Sequence, residues 1–539
     1  MASPVILAVD QGTTSVRASI LEIGLDAGLG AGLNVLASRA ETVPRSFPRP
    51  GWVEVDAEQV VSVTERVAAL ALEAAGRAHA DVAGLGLANQ GETVLVWDRA
   101  TGRPIAPAIV WQCRRTEAIC ARLREDAAVA RWVREATGLP LDPYFSATKI
   151  AWLLDHTPGA RARAERGELV AGTLDTFTLW RLSGGAIFVT DPSTACRTLL
   201  AELDGRFSDR LCELFQVPRR MLARVVPSDA DLGPITIAGG RVPARALLCD
   251  QPSALLGTGC VRPGDMKCTY GTGAFLQVNT GLAPSPTREA GAAEQADGDG
   301  LLRSIAWEIA GERTYLLEGS VLAAGDVLTW LRDGLGMIAR PEEVDDILAT
   351  TADSAGVLFI PALTGLGAPR WVGGARGSIL GLHRGVRREH LIRAALEGIA
   401  HQVADVIDVA ARVYAGELAP MWADGGLAAS LGFLALQADL SGRGLLRADE
   451  CEATTRGVAA VAAVGAGLCA SVVEAARIEP SLRIQPRADA AARERARDRH
   501  RRLVDLVASP SATALVASGA AEAHDGEPAE AGREPDLTQ

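Results

Sequence analysis

The sequence predicts an α/β protein built from two duplicated domains, and three observations support this. At 539 residues the chain is too long for one hydrophobic core. Short apolar runs that read as strands alternate with Ala-rich stretches of helical period. One turn pattern near the N-terminus recurs about halfway along the chain.

The first element is the apolar run Val5-Ile6-Leu7-Ala8-Val9, which leads into Asp10-Gln11-Gly12-Thr13-Thr14-Ser15. A carboxylate and three hydroxyls around a glycine at a strand end suit a phosphate site, with backbone N–H groups converging on the oxygens and a hard cation, Mg²⁺, near the acid. Arg17 adds positive charge, and Val16 to Leu21 reads as the second strand of a hairpin. An ordinary hairpin turn also favours Gly, Thr and Ser, so this stretch alone leaves both readings open. Ala57 to Ala75 has helical spacing, with Val60, Val63, Val67, Leu70 and Ala74 on one side. A strand at Val82 to Ala88 ends in Asn89-Gln90-Gly91-Glu92-Thr93, and open α/β sheets place ligand groups at such ends. Two more strand ends of this kind follow, Ala246 to Cys249 into Asp250-Gln251-Pro252-Ser253 and Met421 to Ala423 into Asp424-Gly425-Gly426. Between them, Lys267 to Gly273 and a strand at Ala274 to Asn279 echo the opening hairpin, which suggests a nucleotide held between two halves. Ala-rich helical patterns at Arg388 to Gly416, Leu427 to Asp439 and Arg456 to Ala476 read as core. The insertion Ala283 to Gly300 reads as an exposed loop, and Ser509 to Gln539 has the composition of a disordered tail.

Composition removes several function classes. A net charge of −12 offers no basic stripe for nucleic acid. No Gly-rich loop ends in Lys-Ser or Lys-Thr, so a Walker-type phosphate loop is excluded. Lys149 and Lys267 are the two lysines among 54 basic residues, a skew that reads as genomic composition. The nine cysteines form no Cys-x-x-Cys pair, pointing to a reducing compartment without structural zinc, and Cys249 and Cys268 read as small buried residues. With no signal peptide and no run of 18 apolar residues, a cytoplasmic protein without membrane insertion is expected.

Phosphoryl transfer needs a phosphate cradle, a metal-binding acid and a group that orients the attacking hydroxyl. Asp10, Thr13, Thr14 and Arg17 supply one side of a cradle, Thr272 and Gly273 the other, and Asp250 is the candidate base. Taken alone, Asp250 also reads as a helix cap, because Pro252 suits a first helical turn.

The set Asp10 to Ser15, Asn89-Gln90-x-Glu92-Thr93, Trp111-Gln112, Asp142 to Ser146, Asp250-Gln251, Tyr270 to Gly273, Glu318-Gly319-Ser320, Thr364 to Pro369 and Asp424-Gly425-Gly426 resembles the FGGY carbohydrate kinases. The resemblance spans about residues 4 to 480 and is nearest to the glycerol-phosphorylating members. It implies two ribonuclease H-like, actin-like ATPase domains, residues 1–256 for polyol and phosphate and 257–505 for nucleotide, followed by the tail 506–539. It also implies ATP and Mg²⁺, with Asp10 as the metal acid, and ATP-dependent conversion of glycerol to sn-glycerol 3-phosphate with Asp250 as general base. Domain closure would align the phosphates with that base. Carried over residue by residue, Glu92, Tyr144 and Gln251 bind the polyol, and Trp111 and Phe275 wall its carbon chain. Thr13, Thr14, Ser15, Arg17 and Thr272 meet the phosphates beside Gly273, while Gly325 and Gly426 let backbone approach ribose and adenine. The family's oligomers make a homo-oligomer an expectation.

This chain departs from the family pattern in several places. Gly91 stands where the glycerol-phosphorylating members carry an Arg that grips substrate hydroxyls, which opens three readings: a larger polyol or a ketose, a bridging water, or a nearby Arg such as Arg114 taking over. Thr329 and Ser430 replace a Gln and an Asn in the adenine region, and Arg456 replaces an apolar residue before Gly457. A degenerate nucleotide-binding sensor without turnover is the further alternative.

Overall fold

The computed structural model describes residues 3–26, 30–283, 299–448 and 452–515. Its two large sheets share one plan. In the first sheet, β1 (Val5–Gln11), β2 (Ser15–Asp26) and β3 (Gly30–Thr42) run antiparallel. On the other side of β1 lies β4 (Val82–Asn89), parallel to it, followed by an edge pair, β5 (Gly233–Ile237) and β6 (Gly240–Cys249), in the order β5-β6-β4-β1-β2-β3. In the second sheet, β7 (Met266–Tyr270), β8 (Ala274–Gly281) and β10 (Glu312–Val321) are antiparallel, with β9 (Leu302–Ile309) beyond β10 at the edge. β11 (Met421–Asp424) and β12 (Leu445–Arg447) continue in parallel beyond β7, and β13 (Leu482–Ile484) closes the other edge. The order β3-β2-β1-β4-β6 thus repeats as β10-β8-β7-β11-β12, which is the duplication predicted from the two turn patterns.

β1 is apolar along nearly its whole length because both of its faces are covered. Val5, Leu7 and Val9 join the core formed with α1 (Ala57–Ala75), which Asp56 caps and Gly76 ends in the left-handed region. Ile6 and Ala8 face α6 (Ala453–Gly465), which comes from the far end of the chain and packs on the first sheet. That contact explains the small residues in α6. A Cβ on Gly86 would come within 2.6 Å of the Val458 carbonyl oxygen, and one on Gly457 within 1.8 Å of the Ser253 carbonyl oxygen. Arg456 sits at the same seam and donates to the Leu33 and Arg477 carbonyl oxygens, a structural role for the charge the sequence left unexplained.

Several element boundaries differ from expectation. β2 extends to Asp26 instead of Leu21, because β3 pairs with it as far as Asp26 opposite Gly30. The helix expected from Leu427 is a 3₁₀ turn at Gly426–Ala429 followed by α5 (Leu431–Ser441), because Ser430 caps the second piece. The pattern from Arg456 to Ala476 splits after Gly465, where Gly467 takes φ 70° and a short helix, Val472–Ala475, follows. Helix α4 (Arg388–Val413) ends three residues short of Gly416. At the C-terminus, α7 (Ala490–Ala508) is followed by a helical turn over 510–515, so this first part of the expected disordered tail is helical. Its remainder, and nearly all of the Ala283 to Gly300 insertion, lie outside the described residues. Among the described residues no helix is long and apolar enough to cross a membrane.

Candidate active site

Three strand ends bring the acidic candidates together. β6 ends at Cys249 and delivers Asp250 and Gln251 to the first turn of helix α3 (Asp250–Gly257), while β4 delivers Glu92 through a turn in which Gly91 has φ 67°. Asp250 is the first helical residue, not the cap, and its Oδ1 accepts the Gln251 backbone N–H at 2.7 Å. Glu92, Tyr144, Arg197, Cys249, Asp250 and Gln251 line one small cavity, closed from the second half by Ser304 and Glu318. A separate small cavity lies in the apolar interior of the first half beside Thr173, Thr176 and Thr190, away from these carboxylates.

Burial dominates the electrostatics. It lifts Asp250 to about 6, opposed by the Gln251 N–H and by Lys267. Burial lifts Glu92 to about 7, opposed by Arg197. Asp10 is pushed furthest, to about 8, by burial and then by the Asp250 carboxylate, with Arg17 opposing. The Oδ1 of Asp10 is buried and has no hydrogen-bond partner among the described residues. An unpaired buried carboxylate beside a second one is costly, and a divalent cation relieves the cost. Mg²⁺ fits this donor set: no group of three or more His, Cys, Asp or Glu forms a cage among the described residues, and Mg²⁺ draws most of its ligands from phosphate and water.

An aromatic wall stands beside the cavity and spans both halves. The Trp111 ring lies 5.3 Å from Tyr144 and 6.5 Å, edge-on, from Phe275 of β8. Trp111 Nε1 donates to Thr13 Oγ1 at 2.8 Å, tying this wall to the first hairpin turn. Thr13, Thr14 and Ser15 keep solvent exposure there, as phosphate ligands require. Arg17 does not stand free: its guanidinium pairs with Glu452 at 3.0 Å and reaches Ser38 Oγ.

The nucleotide candidates gather around the second turn. Thr272 is exposed, and the Gly325 N–H donates to the Gly271 carbonyl oxygen at 2.9 Å. A Cβ on Gly273 or on Gly325 would meet backbone oxygen at 2.6 or 2.5 Å, whereas Gly426 faces open space. Two expected adenine contacts have other partners. Ser430 Oγ donates to Asp345 Oδ1 and accepts from the Phe433 N–H, and Thr329 Oγ1 donates to the Gly325 carbonyl oxygen.

Three residues that the sequence reading passed over sit at this site. Both lysines are fully buried. Lys149, on α2 (Ala147–His156), donates to the carbonyl oxygens of Tyr144 at 2.7 Å and Trp111 at 3.3 Å, and burial lowers it to about 7. Lys267 donates to Thr269 Oγ1 at 2.6 Å and Gln251 Oε1 at 3.4 Å. In a chain whose other basic side chains are Arg, two surviving lysines mark positions that need a compact ammonium, and that was the available signal. Arg197 carried no signal, because it belongs to no motif.

Two matched sheets with a carboxylate-rich cleft at their strand ends, facing two hydroxyl-lined glycine turns, define a phosphotransferase of the duplicated α/β class. The pattern for the FGGY family of carbohydrate kinases, N-terminal domain, matches residues 5–257, and that for its C-terminal domain matches residues 266–466. The chain belongs to this kinase family. It is 44% identical over 500 residues to a glycerol kinase of Aromatoleum aromaticum, covering 91% of this chain and 97% of that protein. A glycerol kinase of Alkalilimnicola ehrlichii is 45% identical over 467 residues, covering 86% and 90%. Among solved structures, a Plasmodium falciparum glycerol kinase with ADP superposes with a TM-score of 0.83 at 26% identity, covering 94% of this chain and 98% of that one.

Proposed function

We propose that this enzyme transfers the γ-phosphoryl group of ATP to a hydroxyl of glycerol, giving sn-glycerol 3-phosphate. One observation carries the reading: Glu92, Tyr144, Asp250 and Gln251 line a single small cavity next to the Trp111 and Phe275 wall. The glycerol kinases at 44 and 45% identity support the substrate. A polyol presents one hydroxyl per carbon, so its site combines directed polar groups with aromatic faces for the C–H edges. Asp250 orients the attacking hydroxyl and takes its proton. Thr13, Thr14 and Ser15 hold phosphate from residues 1–256, and Thr272, with backbone at Gly273, holds it from residues 257–505. Asp10 holds Mg²⁺, which supplies charge neutralisation on the phosphates.

The larger-substrate alternative rested on space left by Gly91. Against it stands Cys249 Sγ, 2.9 Å from where a Cβ on Gly91 would lie, which takes up part of that space. Arg114 does not substitute for the missing guanidinium either, being half exposed and paired with Glu117 and Asp142. A coupled ADP-release assay with MgATP against glycerol, dihydroxyacetone, erythritol, xylitol, ribitol, xylulose and ribulose tests the reading. Strongest turnover on glycerol is expected. Turnover confined to a longer substrate replaces glycerol, and silence on every compound leaves a nucleotide-binding sensor.

A further inference from the structure

The cavity that receives the polyol in the reading above is bordered by three carboxylates, Glu92 and Glu318 buried and Asp250 partly buried. Lys267 stands on the Asp250 side through Gln251. On the other side the counter-charge is Arg197, in the short 3₁₀ turn Cys196–Thr198, with 4% of its surface exposed. Its Nε donates to Glu92 Oε1 at 2.5 Å, one terminal nitrogen to Ser304 Oγ at 3.1 Å, and the other to Glu318 Oε1 at 3.1 Å. Glu92 belongs to the first half, whereas Ser304 and Glu318 lie on neighbouring strands of the second sheet, β9 and β10. Gln277 Nε2, on β8 of the same sheet, fixes the other oxygen of Glu318 at 3.2 Å. A planar guanidinium can serve three acceptors in three directions at once, which an ammonium on a flexible stem cannot hold in the same way. The faces of Tyr144 and Phe145 lie 5.6 and 5.7 Å from the guanidinium carbon and restrict its movement further.

We propose that Arg197 is the positioning residue of the polyol site, holding Glu92 toward the substrate and tying it to Ser304 and Glu318 across the boundary between the halves. The inference rests on the polyol kinase reading. A buried ion network adds little to stability compared with well-packed apolar residues. Its place in the cavity wall therefore points to a role in orientation. Three of the five guanidinium N–H groups are taken by these acceptors, and the other two have none among the described residues. A polyol hydroxyl in the same cavity is a suitable acceptor for one of them.

The test compares wild type with Arg197→Lys, Ser304→Ala and the double variant, using the panel substrate that wild type turns over best. Arg197→Lys should raise KM for that substrate about tenfold or more. KM for MgATP should stay within about twofold of wild type, because the network touches no phosphate candidate. Ser304→Ala should raise the polyol KM by about two- to threefold, and the double variant should be little worse than Arg197→Lys, since both act through one guanidinium. An unchanged polyol KM in Arg197→Lys, or polyol and ATP constants rising together, overturns the proposal. If Arg197→Lys fails to fold, Ser304→Ala decides alone, and an unchanged polyol KM there overturns it. A wild-type protein silent on the whole panel overturns both readings, whereas an active wild type with unaffected variants overturns this one alone.

Discussion

The turns Gly12–Thr14 and Gly271–Gly273 join equivalent strands of two matching sheets, yet they carry opposite chemistry. Two residues before its glycine the first turn has Asp10, buried and unpartnered on one oxygen, where the second has Thr269, which accepts from Lys267. Beside the first turn stands Asp250, and Glu92 lines the same cavity as that residue. The second is surrounded by close-packed glycine backbone at Gly273, Gly325 and Gly425. The first turn has gathered several carboxylates whose burial is costly, whereas the second has one acid beside it, Asp424, and the buried Lys267 ammonium bonded to Thr269. This contrast supports the proposed division of labour, with chemistry assigned to the first half and nucleotide to the second.

The largest effect should come from Asp250→Asn. Loss of a general base costs about 10²–10⁴ in rate, so kcat should fall by that factor, while ATP affinity measured by calorimetry changes little. Near-normal turnover would remove Asp250 from the base role. Because burial raises this carboxyl to about 6, it is ionised above that pH, and kcat should decline on the acid side with a midpoint near 6. A profile flat down to pH 5 would contradict the assignment.

Asp10→Asn should separate function from stability. Loss of the carboxylate should lower activity at least about 10²-fold, as expected when a group neutralising phosphate charge is removed. It should also raise the melting temperature of the protein free of Mg²⁺ and nucleotide. The folded pKa of Asp10 lies near 8, above the unfolded value of 3.8, so the native state binds this proton more tightly than the unfolded chain does. Wild-type stability therefore loses this contribution as pH rises from about 4 to about 8. The stabilisation by Asn should accordingly be larger at pH 8 than at pH 5, and MgATP should cancel it. The same substitution logic at Thr269 predicts no gain, since no buried charge is removed there.

Gly91→Arg is the next step down. A guanidinium at this position looks beneficial from sequence, because it restores a substrate-gripping group. The structure reverses the sign: φ is 67° and a Cβ would meet Cys249 Sγ at 2.9 Å. The backbone strain of about 1–3 kcal/mol should lower the melting temperature, and the displaced Cys249, which lines the cavity, should raise the glycerol KM, as read from initial rates. An improved KM would mean that the Cys249 side of the pocket yields easily.

What the sequence made legible was local. The two glycine turns, the span of α1 and the acids at strand ends could be read because each depends on residues close together in the chain. The packing of α6 on the first sheet was hidden, since its Ala-rich pattern shows that the helix is buried but not which surface covers it. Arg197 was hidden for a related reason: its three acceptors lie 105, 107 and 121 residues away, and no motif records them. The partners of Arg17 and Ser430 likewise depend on Glu452 and Asp345, which no spacing rule connects to them.

The smallest effects should come from the paired threonines, and they test the division of labour most directly. Thr13 Oγ1 receives the Trp111 indole N–H, whereas the Thr272 side chain is exposed and makes no hydrogen bond among the described residues. On the proposed roles, Thr13→Val removes a phosphate ligand and also strands the indole N–H of the polyol wall, so KM should rise for both ATP and polyol. Thr272→Val removes the phosphate ligand alone. One hydrogen bond is worth about 0.5–1.5 kcal/mol, so its ATP KM should rise about two- to tenfold with the polyol constant unchanged. Equal effects of the two variants on both constants would mean that the halves share the substrate, and the contrast between the two turns would lose its functional meaning.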